Sequence, residues 1–170
     1  MSPGGGSDVR VGRLRRIRDR LHGERLGGLL VSHPPDLRYL SGFTGSAGQL
    51  LVTQERAILA VDFRYYERAE REAPTWEQAR IQNTFLETLV DMVAETGVRR
   101  LGIESDHTTI AGLDDMRAKL PEVTLVPIAK MVVPMRAVKD EGEIAAISAA
   151  VDCADAAFAH LCQVIRPGMR

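Results

Sequence analysis

Apolar and polar positions follow two periods along this chain, and the switches between them mark its elements. Over residues 10–26, Val11, Leu14, Ile17 and Leu21 recur at gaps of three and four before Gly27-Gly28, so the spacing predicts a helix that stops there. Leu29-Leu30-Val31 is short and wholly apolar and reads as a strand. Pro34-Pro35 breaks the chain, leaving room for one helical turn over residues 36–40. A glycine-punctuated loop, residues 41–48, leads into strands over 49–53 and 57–61. Their short joint, Gln54-Glu55-Arg56, predicts an antiparallel hairpin. Asp62 is placed to cap a helix over 64–72, and Pro74 stops it. Residues 79–82 read as a weak strand, and Phe85, Leu86, Leu89, Val90 and Val93 mark an amphipathic helix ending at Gly97. A strand over 100–104, a helix over 110–120, a strand over 123–128 and an apolar linker over 131–134 follow.

Helices alternate with strands and one hairpin sits early, which predicts an α/β fold: a mixed β-sheet sandwiched between helices in three layers. The end of the chain differs. From Lys139, Ile144, Ile147, Val151, Ala154, Phe158, Leu161 and Ile165 recur at gaps of three and four until Pro167-Gly168, predicting one long C-terminal helix. Asp140, Glu141 and Glu143 lie in its first turns, where the helix dipole favours them. Its apolar stripe needs a covering surface, or stays partly exposed, or drives self-association. The expected organisation is a flexible tail over 1–9, a domain over 10–133, and a linker with the long helix over 134–170.

Composition narrows the classes. The 170 residues are 45% hydrophobic with a formal net charge of −1, enough for one domain with a core and no global case for nucleic acid or an anionic membrane as partner. Uninterrupted apolar runs are far shorter than the ~20 residues a bilayer needs, and the first seven residues carry no signal-peptide core. The expectation is a cytoplasmic protein. Arg13, Arg15, Arg16, Arg18, Arg20 and Arg25 on the first helix read as a solvated face, with arginine-mediated nucleic-acid binding the weaker alternative. Cys153 and Cys162, nine apart on one helix and so ~13 Å apart along it, cannot pair there and read as buried or half-buried thiols.

Candidate chemistry is sparse. His22, His33, His107 and His160 sit in no metal-ligand spacing, and Asp152, Asp155 and His160 cannot converge on one ion from a single helix, so neither a catalytic nor a metal site is expected. Glu104-Ser105-Asp106-His107 invites a triad reading, but neighbours along a strand end point apart, and a capped strand-to-helix loop explains them better. Gly42, Gly45 and Gly48 precede a strand rather than a helix, so they read as positive-φ turns and not as a phosphate cradle. Arg64, after an apolar strand, could clamp a carboxylate or pair with Asp62 or Glu67.

Four segments in order resemble one family. Residues 28–48, with Leu37-Arg38-Tyr39-Leu40-Ser41-Gly42-Phe43, are similar to the opening signature of the creatinase/prolidase/aminopeptidase P family. Val61-Asp62-Phe63-Arg64-Tyr65 resembles the family's T-D-G-R-Y, with Phe63 where glycine is usual. Residues 132–144 resemble its interdomain crossing, and Ile165-Arg166-Pro167-Gly168-Met169 the segment after the first helix of its catalytic domain. The resemblance implies the N-terminal domain of a metal-dependent Xaa-Pro peptidase. Two divalent ions (manganese, cobalt or zinc) are expected in a catalytic domain beyond Arg170, and no cofactor within this chain. It further implies a homodimer, a proline-containing peptide as substrate, and a gating role in which Phe43 and Arg64 meet the substrate. The other reading is a stand-alone protein-binding module on a repurposed peptidase domain.

Overall fold

A computed structural model of the chain describes residues 5–169. Residues 1–4 of the expected tail lie outside the described residues, and the rest of it is not tail: the first helix, α1, begins at Gly5 and runs to Gly23. In chain order there follow β1 (Gly28–Val31), α2 (Pro34–Ser41), β2 (Gln49–Thr53), β3 (Ala57–Asp62), a 3-10 turn (Phe63–Tyr65) and α3 (Tyr66–Glu72). Then come β4 (Glu77–Ile81), α4 (Phe85–Thr96), β5 (Arg100–Glu104), α5 (Ile110–Lys119), β6 (Thr124–Ile128), α6 (Val133–Ala137) and α7 (Glu141–Val164).

The six strands form one sheet in the order β4-β3-β2-β1-β5-β6. The expected hairpin is present, with β2 antiparallel to β3 and Leu50 opposite Leu59. β2 is also antiparallel to β1, while β1–β5, β5–β6 and β3–β4 are parallel, so the sheet is mixed with β2 the one reversed strand.

Alternation along the strands divides the core in two. Leu29 and Val31, Leu50 and Val52, and Leu59 and Val61 pack on one face with Ile17 and Leu21 of α1, Leu37 and Leu40 of α2, and Ala69 of α3. Leu30, Leu51, Ile58 and Ala60 turn to the other face and meet Leu89, Met92 and Val93 of α4 and Met116 of α5. Every second side chain goes to the opposite layer, as the pleat requires, which is why the central strands read as continuous apolar runs. The fold is the three-layer α/β sandwich. The segment expected as an apolar linker contributes to the core instead: Met131, Val132 and Met135 are buried, and the Tyr39 hydroxyl donates to the Met135 carbonyl at 3.1 Å.

The arginines of α1 divide: Arg15, Arg16 and Arg20 are exposed, as a solvated face requires, whereas Arg13 and Arg18 are half-buried against the domain. Arg10 Nη1 donates to the Glu72 carbonyl at 3.1 Å, Arg13 Nη1 to that of Tyr39 at 2.8 Å, and Arg18 Nε to that of Thr53 at 2.9 Å. Arg16 Nη2 reaches the Tyr39 hydroxyl at 3.2 Å, and the Arg13 guanidinium lies 3.9 Å from the centre of the Tyr39 ring. A planar fork on a long apolar stem suits this task, because it caps exposed carbonyls while its methylenes cover the helix flank.

By its contacts the chain divides after Met135. In the second part, Asp140 caps α7 by accepting from Glu143 N, and the Glu143 side chain accepts in return from Asp140 N, a complete capping box. No residue of α7 is buried, and Cys153 and Cys162 are both exposed free thiols, contrary to the expectation of burial. By length and composition α7, with 24 residues, would reach across a bilayer, which counting uninterrupted apolar runs overlooks. Asp152 and Asp155 fall in its middle, where each carboxylate would cost ~2.5–3.5 kcal/mol in hydrocarbon.

Candidate functional site

Parallel pairing brings the carboxyl ends of β1, β3, β4, β5 and β6 and the amino end of β2 to one edge of the sheet. Of the polar residues singled out in the sequence, His33, Asp62, Arg64 and the stretch 104–107 meet here. Asp62 ends β3 and accepts from the Arg64 backbone N–H at 3.0 Å, opening the 3-10 turn. The Arg64 side chain folds back on the same carboxylate, with Nε to Oδ1 at 3.0 Å and Nη2 to Oδ2 at 2.6 Å. This bidentate bond holds the Asp62 carboxyl below its usual range and raises Arg64 in turn. Of the two sequence alternatives for Arg64, the Asp62 pair is therefore made. The guanidinium stays largely exposed, at 57%, so it is pre-oriented rather than consumed.

Phe43, the other residue the resemblance assigns to substrate, is 1% exposed and belongs to the core. Its ring meets Tyr65 edge-on at 5.7 Å, and a Cβ on Gly45 would overlap it. It shapes the loop from beneath and presents no surface to a ligand. The exposed aromatic of this edge is Phe63, at 76%. Gly42 alone of the three loop glycines has positive φ, closing α2 in the left-handed region; Gly45 and Gly48 are needed for room beside Phe43. The loop is pinned from α3, where Glu72 accepts from Thr44 N at 2.8 Å, and from the turn, where Ser46 and Tyr65 hydroxyls lie 2.6 Å apart.

The stretch 104–107 forms no triad. Ser105 N donates to the Ile128 carbonyl, Asp106 accepts from Lys130 N, and the amides of His107 and Thr108 donate to the Glu104 carbonyl, a turn into α5 that Thr109 caps. Glu104 itself is what sequence reasoning missed. It is buried, and its Oε2 accepts from Ser32 N at 2.7 Å, His33 N at 2.9 Å and Ser32 Oγ at 3.3 Å. Burial pushes its carboxyl up from the usual range, although these three bonds favour the ionised form. Nearby, His33 Nδ1 lies 3.3 Å from the buried Asp36 carboxylate, and the rings of His33 and His107 are 4.9 Å apart. Only the parallel pairing of β1 with β5 joins residues so distant in sequence, so no local signal could have shown it. Among the described residues, no group of three His, Cys, Asp or Glu side chains is arranged to hold a metal ion.

Known proteins share this architecture. The family profile for the creatinase/prolidase N-terminal domain matches residues 13–138. A Bacillus subtilis (strain 168) chain described as an uncharacterized peptidase, YqhT, is 31% identical over 92% of this chain and 44% of its own length. The solved Xaa-Pro dipeptidase from Bacillus anthracis superposes with a TM-score of 0.90 at 29% identity, covering 94% of this chain and 45% of that one. The N-terminal domain of the cytoplasmic peptidase PepQ from Mycobacterium tuberculosis H37Rv, 36% identical with a TM-score of 0.68, is covered over 97% of its length by 72% of this chain. The chain thus spans less than half the length of YqhT and of the dipeptidase. With the profile matched across the sheet and its helices, the chain belongs to the creatinase/prolidase N-terminal domain family.

Proposed function

We propose that this chain serves as the non-catalytic N-terminal domain of a metal-dependent Xaa-Pro peptidase of the aminopeptidase P or prolidase type, gating substrate and contributing dimer contacts. The relatives named above are peptidases, and this chain matches only part of them. The sequence resemblance adds two divalent ions, held by polypeptide outside this chain, which would supply the hydrolytic chemistry. The cytoplasm is the proposed location.

The observation that carries the gating role is the turn after β3. Phe63 and Arg64 project there, and the Asp62 pair fixes the guanidinium plane. A peptide carboxylate would exchange with or share Asp62's place on the fork, and an exposed ring beside it would cover proline. Phe63 takes the aromatic role that buried Phe43 cannot.

The test is Arg64→Ala in the full-length gene product, assayed on proline-containing dipeptides. KM should rise roughly tenfold or more while kcat changes little, because uniform binding is lost. Arg64→Lys should recover little, since an ammonium cannot form the fork. An unchanged KM would end the gating reading. A reading frame that closes after Arg170 would transfer the proposal to the stand-alone binding module.

A further inference from the structure

The sheet has two outer strands, β4 and β6, and they are finished differently. β6 carries Pro127, which has no N–H to offer a neighbour. β4 has no proline, and none of its residues is buried. Among the described residues its main chain pairs with that of β3 alone, while the Ile81 carbonyl accepts from the Tyr66 hydroxyl at 3.3 Å. Such a strand presents N–H and C=O groups on its free side, spaced to receive another extended chain.

Beside β4 runs a groove of about 460 Å3 whose other wall is α4. Glu87, Asp91 and Glu95 line it from α4 at intervals of four residues, one carboxylate for every ~6 Å of helix. Alternate side chains of an extended chain recur every ~6.6–6.8 Å, nearly the same interval. The guanidiniums in the lining are engaged. Arg56 Nη2 lies 2.7 Å from Glu77 and 3.2 Å from Glu95, and Arg80 lies 3.6 Å from Glu70 and 4.7 Å from the centre of the Tyr66 ring. The side chains of Glu87 and Asp91 are exposed and have no hydrogen bond or ion pair among the described residues.

Charge decides between occupants. A second copy paired through β4 would bring its own Glu87 and Asp91 to the same seam, where like charges meet. A basic chain meets opposite ones. We propose that β4 is a docking edge for an extended segment of another protein with lysine or arginine at alternate positions, its main chain adding a strand beside β4 and its cations meeting Glu87 and Asp91. This segment is a partner and not the substrate of the gating reading, so either proposal can fail alone.

The test is an NMR titration of the 15N-labelled chain with acetyl-Lys-Thr-Lys-Thr-Lys-Thr-amide, and with the same peptide carrying Glu for Lys. The lysine peptide should produce saturable shifts along β4 and the Glu87–Glu95 face of α4, with a dissociation constant on the order of 1 mM. The glutamate peptide should produce none. At about 10 mM lysine peptide, hydrogen exchange at the β4 amides that point away from β3 should slow roughly tenfold. Glu87→Gln with Asp91→Asn, both at exposed positions, should weaken binding roughly tenfold. The proposal is overturned by no saturable shift at about 10 mM lysine peptide, by equal binding of the glutamate peptide, or by a folded double variant that binds as the parent chain does. Shifts without slower exchange in β4 would overturn it as well, since they would mean contact by charge alone. So would self-association of the chain through β4, seen as a rise in mass by light scattering that β4 shifts accompany.

Discussion

In α4, Leu89, Met92 and Val93 are buried against the sheet, whereas in α7 Ile144, Ile147, Val151, Phe158 and Leu161, spaced as regularly, are 47–69% exposed. The two helices differ in what holds them. α4 is a face of a core and needs the sheet. α7 has 24 residues, beyond the ~12–15 below which an isolated helix is marginal, and a capping box that secures its first turn. Periodicity thus specifies an element in both cases, and in the first the sheet is its partner.

The most direct way to break this contrast is to remove one large ring from each part. Phe43→Ala empties a fully buried site beneath the loop and should cost about 3–5 kcal/mol of unfolding free energy. Phe158→Ala, at a residue 69% exposed, should change it by no more than about 0.5 kcal/mol. Urea denaturation of both variants decides it; equal losses would mean that α7 shares the core.

A smaller effect sharpens the same point. Asp140→Ala removes the cap and should cost α7 about 1 kcal/mol of local stability. Hydrogen exchange should quicken in the first turns of α7 while the urea midpoint of the sheet domain stays put. A shift in that midpoint would show that the two parts unfold together.

What could be read in the sequence follows the same division between local and distant causes. The hairpin, the stop at Gly97 and the strand over 100–104 all rest on neighbouring residues, and all are found, while the cap at Asp62 closes a 3-10 turn ahead of α3 rather than a helix over 64–72. Placing Met131 and Val132 in a linker fails because nothing local reveals that Tyr39, far upstream, reaches Met135. Arg13 and Arg18 of α1 are misread for the same reason: their acceptors are carbonyls of Tyr39 and Thr53, and a carbonyl leaves no mark in composition. At the candidate site, Arg64 is legible because its partner lies two residues away. The burial of Phe43 is not, since it depends on Gly45 and Tyr65 closing over it.

The finest test lies in the sheet domain, where a charge is buried that α7 has no means to bury. Burial raises the Glu104 carboxyl above its usual range, so the folded chain holds that proton more tightly than the unfolded one. Its contribution to stability is greatest in acid and declines as pH rises through the ordinary carboxylate range, until Glu104 is ionised in the folded state as well. Asp62, held low by Arg64, acts with the opposite sign: its contribution is present above the ordinary range and is lost as pH falls through the folded value. Glu104→Gln isolates the first, because Asp62 is common to both proteins and cancels in the difference. The wild type's advantage over the variant should be larger at about pH 4 than at about pH 8. The change should be the smallest of the three effects, since the bonds from Ser32 and His33 offset much of the desolvation. An advantage that grows with pH would mean that those donors outweigh burial, and that the edge of the sheet is built to hold a carboxylate rather than a proton.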